Sequence, residues 1–326
     1  MFELTKRALR GLLVVALFSC GAVAAEEKYP TRPITIIAAV GAGTGGDLAV
    51  RTLAEKLGPA LGQPIVIMNV PGAGGVVGAA RGAAAAPDGY VLSAIPSWIM
   101  TIRPHLTPKV SYDPFKDFVG ISHIASFPTV LYVNPSIKAN TVQEFISLVK
   151  KHPKQFTYAS PGVGSAQHLA MEQLKVLAGI DLLHVPFQGS TQAAIESVAG
   201  RVDSGFNGIS TLEPFIKRGE LRPLAWAEDR RDPILPNLPT MHEAGVKDFT
   251  YEVSIQLFGP AGLPKSIVNR LNAEIRKITA DPELRERWAA AGMQPRSASP
   301  EEFESLVKAE WNRNGDTMQK IGLKAD

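Results

Sequence analysis

The stretch Ile34-Thr35-Ile36-Ile37-Ala38-Ala39-Val40, Gly41-Ala42-Gly43-Thr44-Gly45-Gly46, Asp47-Leu48-Ala49-Val50-Arg51 decides how this chain is read. Its first seven residues are apolar and rich in β-branched side chains, as a buried strand requires. The next six include four glycines, and Asp47 then opens a helical pattern. A strand, a bare loop and a helix N-terminus follow one another. Glycine lets such a loop take positive φ, and lets an anion approach unpaired N–H groups at the positive end of the helix dipole. The loop is built to hold something negative, or it is a tight turn that holds nothing.

Working outward, Leu53, Leu57 and Leu61 share one helical face, and Gly62 and Pro64 end the helix. Ile65 to Val70 reads as the next strand, followed by a second glycine-rich loop, Pro71-Gly72-Ala73-Gly74-Gly75, an alanine-rich helix and a strand over Val91 to Ile95. Strands alternating with helices at this spacing predict a parallel sheet with helices on both faces. The opening pattern then recurs in the second half. A β-rich run at Phe156 to Ala159 leads into Ser160-Pro161-Gly162-Val163-Gly164-Ser165 and a helix carrying His168, Leu169 and Leu174. Further strands are expected at His184 to Phe187, which ends in Gln188-Gly189-Ser190, at Val202 to Asn207 and at Leu221 to Trp226. Two long apolar runs, Ile121 to Val133 and Val253 to Pro260, are candidates to carry the chain between units. The expected architecture is two α/β lobes with mostly parallel sheets, joined by a hinge of two crossings, with one anion loop per lobe. Residues 26–125 with 254–326 form the first lobe and residues 126–253 the second.

Composition narrows the function. The chain has 326 residues, 45% of them apolar, and a net charge of only +3, without a Lys/Arg cluster in its body, so no nucleic-acid partner is expected. At the N-terminus Lys6, Arg7 and Arg10 precede an apolar run from Gly11 to Phe18 and the small residues Ala22-Val23-Ala24. This is the layout of an export signal over residues 1–25, too short to span a bilayer. Cys20, the single cysteine, lies inside it, so the exported chain would carry no disulfide. Leu17-Phe18-Ser19-Cys20 also loosely resembles a lipoprotein cleavage box, which would anchor the chain at Cys20, although Phe18 fits poorly.

Three chemistries compete for the glycine loop and its repeat. Gly41 to Gly46 spells G-x-G-x-x-G, but the acidic residue a dinucleotide site needs about 20 positions later is missing, because that strand ends in Met68-Asn69-Val70. A secreted serine hydrolase could use Ser165 and His168, yet no G-x-S-x-G elbow is present and Ser165 suits a helix N-cap. The six histidines show no metal-ligand spacing, and no cofactor is implied. Capture of a small anion without chemistry is the third reading.

Short motifs in order along the chain carry a resemblance. Tyr29-Pro-Thr-Arg-Pro-Ile34, the loop to Asp47 with Arg51, Leu61-Gly-Gln-Pro64, Asn69-Val-Pro-Gly-Ala-Gly-Gly75, Pro87-Asp-Gly-Tyr90, Tyr112-Asp-Pro114, Lys116-Asp-Phe118, Tyr158-Ala-Ser160, His184-Val-Pro-Phe187, Gly189-Ser190, Gly219-Glu-Leu-Arg222, Leu238-Pro-Thr240, Glu243-Ala-Gly245 and Pro260-Ala-Gly262 resemble the solute-binding proteins of tripartite tricarboxylate transporters, the Bordetella uptake gene family. The resemblance implies a periplasmic-binding-protein-like fold. It also implies a monomeric periplasmic receptor that closes on a small carboxylate and delivers it to the transporter's membrane subunits. The ligand carboxylate would be held by backbone and small side-chain groups of Val40 to Asp47 (Val40, Gly41, Ala42, Gly43, Thr44, Gly45, Asp47) and of Ser160 to His168 (Ser160, Gly162, Val163, Gly164, Ser165, His168). Ser97, Gln188, Gly189 and Asn207 complete the expected site. Asp47 would cap its helix or orient the loop rather than touch an anion, since like charges repel.

Departures from the family pattern bear on the ligand, which is expected to be a dicarboxylate or an aromatic carboxylate. Ala39 and Gly41 stand where the family usually has prolines. Asn207 replaces an acidic residue that could meet an amine, which argues against an amino acid. Arg103 stands at a commonly uncharged position and would pair with a distal carboxylate, with Trp98 or Phe127 covering a flat ligand.

Overall fold

A computed structural model describes residues 29–106 and 110–322; the export signal and Cys20 lie outside the described residues. Eleven strands form two sheets. The first contains β1 (Ile34–Ala38), β2 (Ile65–Asn69), β3 (Val91–Pro96), β4 (Phe118–Ser126), β10 (Ser254–Pro260) and β11 (Gln294–Pro295), in the order β11-β4-β10-β3-β1-β2. The second contains β5 (Thr129–Val133), β6 (Thr157–Ser160), β7 (Leu183–Pro186), β8 (Ser204–Gly208) and β9 (Arg222–Trp226), in the order β7-β6-β8-β5-β9. The architecture is a two-lobed α/β fold.

The sheets are mostly parallel, as expected: β1 to β4 run one way in the first and β6 to β9 one way in the second, with β10, β11 and β5 set against them. Strand–helix–strand units do lay β1 parallel to β2 and β3, and β6 parallel to β7 and β8, because such a unit returns the chain in the same direction. The strands that enter a sheet from the other one behave differently. β10 pairs antiparallel with β3 and β4, and β5 pairs antiparallel with β8 and β9. Both lead away from a crossing, so they run against neighbours whose C-terminal ends point toward it. That arrangement aims the loops after β1 and β6 at the region between the sheets.

Each sheet has its own core. Ile34, Ile36, Leu92, Leu257, Leu271 and Trp288 cluster on the first, with Leu53 and Leu57 from the helix α1 (Gly45–Leu61). Leu131, Val133, Phe145, Tyr158, Leu169, Leu174 and Phe206 cluster on the second. Two helical segments join them. Ile102 and Leu106, at the short helices α2 (Ser97–Thr101) and α3 (Arg103–Leu106) that follow β3, pack into the second core. A last helix (Pro300–Ile321) places Phe303 and Val307 beside the first sheet and Met318 in the second core. Among the described residues no helix is long and apolar enough to cross a membrane.

Candidate ligand-binding cleft

The loop after β1 is held open by one buried carboxylate. The helix that follows, α1, has Thr44 as its N-cap. It therefore begins two residues before Asp47, where the sequence reading opened it. Thr44 Oγ1 accepts the Asp47 N–H at 3.3 Å, so the Asp47 side chain is free for other bonds. Asp47 Oδ2 accepts from the Gly43 N–H and from Arg51 Nε, both at 2.9 Å. Oδ1 accepts from Asn69 Nδ2 at 2.8 Å, and Asn69 Oδ1 in turn accepts from Arg51 Nη2 at 2.7 Å. Burial by itself would raise this carboxyl, but the bonds from Arg51, Asn69 and Gly43 outweigh it and hold Asp47 below the usual carboxylate range. The charge is neutralised inside the loop scaffold. Among the described residues, no acceptor bonds the N–H groups of Gly45 and Gly46, the first two donors of the helix.

Those two glycines face a cavity of about 430 Å³. Its walls are Ala39, Val40, Gly41, Thr44, Gly45 and Gly46 from the first loop, Pro71 and Gly74 from the second glycine loop, Pro96 and Trp98 after β3, and Val253 to Ile255 at β10. Phe127, at the crossing into the second sheet, and Ser210, in the helix after β8, close it from the other side. None of these wall residues is charged. The two aromatic rings stand at the two glycine loops. A Cβ on Gly45 would lie 3.1 Å from Phe127 Cε1, so glycine is what lets that ring approach, while one on Gly74 would meet Trp98 Cη2 at an ordinary 3.5 Å. A wider concavity of about 630 Å³ on the outside of the last helix is bordered by Glu301 and Glu302, which would repel an anion.

The other residues expected at the site fall in three places. Ala42, Gly43 and Asp47 belong to the loop scaffold but not to the cavity wall. Ser97 lies beneath the wall, 1% exposed, its Oγ accepting the Ser254 N–H at 3.4 Å. Arg103 is also outside the wall. Its Nη2 donates to Ala73 O, in the second glycine loop, at 3.4 Å.

The loop after β6 forms a separate scaffold that does not line the cavity. Ser160 is fully buried; its Oγ accepts the Gly162 N–H at 3.1 Å and lies 2.6 Å from His184 Nε2. Ser165 caps the following helix, α4 (Ala166–Ala178), by accepting the His168 N–H at 3.2 Å. The His168 imidazole accepts the Gly164 N–H through Nδ1 at 3.1 Å. Ser165 thus serves as a helix cap and His168 as a loop brace. Gly164, at φ +74, lets Leu106 come within 2.5 Å of where a Cβ would be. Val163 stands 65% exposed at the tip. Gln188 is exposed, Gly189 has φ +121, and Asn207 is buried with Nδ2 donating to Ser190 O at 2.8 Å.

Behind this second loop the sequence reading missed an aromatic stack. The His168 and His184 rings lie 4.1 Å apart between centroids, at an interplanar angle of 14°, and Tyr158 stacks on His184 at 4.8 Å. Tyr158 also donates to buried Glu172, which accepts from Lys175 at 2.9 Å. Burial, with Lys175 nearby, pushes His168 down to about 4. Burial, with His168 alongside, does the same to His184. Both imidazoles are neutral braces at pH 7.

Known proteins share this arrangement of sheets and loops. Residues 49–323 match the tripartite tricarboxylate transporter family receptor, TctC. The chain is 30% identical over 318 residues to a UPF0065 protein of Bordetella pertussis, covering 97% of this chain and 98% of that one. The solved structure of R. palustris Rpa4515 with adipate is 29% identical, with a TM-score of 0.75 over 90% of this chain and 98% of its own. That of MatC from Rhodopseudomonas palustris with bound malate is 31% identical, with a TM-score of 0.70 over 89% and 99%. The chain belongs to the tripartite tricarboxylate transporter receptor family.

Proposed function

We propose that this protein is a periplasmic receptor that captures a small organic acid between its two lobes and hands it to the membrane subunits of a tripartite transporter. The observation that carries the reading is the uncharged cavity at the start of α1, where the Gly45 and Gly46 N–H groups have no acceptor among the described residues and Phe127 and Ser210 bring in the second sheet. A carboxylate at those N–H groups gains charge-assisted hydrogen bonds and the helix dipole without an arginine. Relatives of similar sequence and fold, solved with adipate and malate, support an acid as ligand. In this reading the lobes are residues 26–125 with 254–326 and residues 126–253, and the N-terminal segment directs export. The loop Ser160 to His168 comes onto the ligand when the lobes close, directly or through ordered water. Binding alone is the activity, and closure is a population shift driven by contacts made only in the closed state.

A thermal-shift screen against mono-, di- and tricarboxylates, aromatic acids and amino acids tests this. A ligand at 100 times its dissociation constant adds about 2.7 kcal/mol, a rise of several degrees. No rise with any carboxylate would defeat the proposal.

A further inference from the structure

We infer that the ligand is a monocarboxylate with a flat apolar body, aromatic rather than an aliphatic diacid. This rests on the proposed receptor function and concerns the end of the cavity away from the Gly45 and Gly46 N–H groups. The wall there is Pro71, Gly74, Pro96, Trp98 and Val253, while Phe127 and Ile255 stand beside Gly45 and Gly46. The polar side-chain groups of the cavity are the hydroxyls of Thr44, Ser210 and Ser254 and the indole N–H of Trp98, none of them charged. A second ionised carboxylate in this space meets no charged wall residue, and whatever hydration it loses there is repaid only if Arg103, beside Gly74, turns toward it. An apolar body loses nothing by the same transfer and gains area removed from water.

The shape points the same way. Phe127 lies against Gly45 and Trp98 against Gly74, so a ring stands at each glycine loop and both bound the same cavity. A planar ligand whose carboxylate meets the helix N-terminus would present its faces to these rings, an arrangement favoured for aromatic pairs. Of the two guanidinium groups beside the glycine loops, Arg51 donates to Asp47 and Asn69, while Arg103 donates to Ala73 O at 3.4 Å and its Nε has no partner among the described residues; neither residue is part of the wall.

Calorimetric titration of the purified protein with benzoate, cyclohexanecarboxylate, succinate, adipate and malate tests this, with benzamide as the uncharged control. Benzoate should bind at least tenfold tighter than any of the diacids, and benzamide should not bind. Trp98→Ala and Phe127→Ala should each weaken benzoate tenfold or more. Trp98→Phe should retain most of the affinity, and unchanged circular dichroism would separate lost stacking from lost folding. A diacid that binds tighter than benzoate would overturn this inference and leave the receptor function standing. If that diacid affinity were lost in Arg103→Ala, its second carboxylate would belong to Arg103. Binding of none of these acids, together with a flat thermal-shift screen, would remove the receptor function and this inference with it.

Discussion

Asp47→Ala should unmake the first loop without touching the ligand. The carboxylate accepts from three donors, Gly43 N–H, Arg51 Nε and Asn69 Nδ2, at 2.8 to 2.9 Å, and its side chain is 5% exposed. Breaking a fully buried ion pair costs about 3–5 kcal/mol. Arg51 is 46% exposed and can return to water, so the ion-pair share is discounted; the stranded Gly43 and Asn69 donors leave about 2–3 kcal/mol. For a chain of this size that lowers the melting temperature by about 3–5 °C. With Gly43 released, the N–H groups of Gly45 and Gly46 lose their fixed direction, and affinity for the acid should fall about tenfold or more. Asp47→Asn, which keeps one acceptor oxygen, should lie between. The pH dependence has a definite sign. Asp47 titrates below the usual range in the folded protein, so its contribution is present above the ordinary carboxylate pKa and is lost as pH falls through the lowered value. Urea unfolding and calorimetry measure both effects. A variant within about 0.5 kcal/mol of the parent, the scale of ordinary surface substitutions, and with full affinity would refute the scaffold role.

Other perturbations separate stability from binding. Gly45→Ala places a methyl 3.1 Å from Phe127 in a helix that favours alanine; affinity measured by titration should fall while the melting temperature holds or rises. Gly75→Ala puts Cβ 2.2 Å from Ile99 Cδ1 and 2.5 Å from Ala39 O at φ +98, and should cost about 3 kcal/mol or more in urea unfolding. His168 and His184 stay neutral to about pH 4 when folded, against an ordinary 6.5. The unfolded chain therefore binds more protons, and stability should fall between pH 6.5 and 4, by on the order of 2–3 kcal/mol per imidazole. Glu310, raised to about 7 chiefly by burial, acts in the opposite direction, so the test is a shallower pH slope of stability in His184→Phe than in the parent.

The first loop was legible because its physics is local. A β-rich run, four glycines and a helical leucine stripe fix strand, loop and helix within one segment, and the cap differs from expectation only by a choice between Thr44 and Asp47, two good capping residues in the same turn. Which strands run against the others was not legible, since the direction of β5 and β10 depends on which sheet they arrive from, a property of the whole path rather than of any window. Partners distant in sequence were equally hidden. Nothing near Ser160 announces His184, 24 residues on, and Ser210 reaches the cavity from the helix after β8 with no local signal, whereas Phe127 was expected at the ligand. Arg103, expected as a ligand clamp, bonds Ala73 O beside the wall residue Gly74.

A crystal structure of the protein with bound benzoate or adipate tests the central claim most directly. The account places the ligand's carboxylate oxygens within hydrogen-bond distance of the Gly45 and Gly46 N–H groups, its body between Trp98 and Phe127, and the loop Ser160 to His168 closed over it. An acid bound elsewhere, for example in the groove lined by Arg230, Arg231 and Arg285, with the α1 N-terminus left empty, would contradict it.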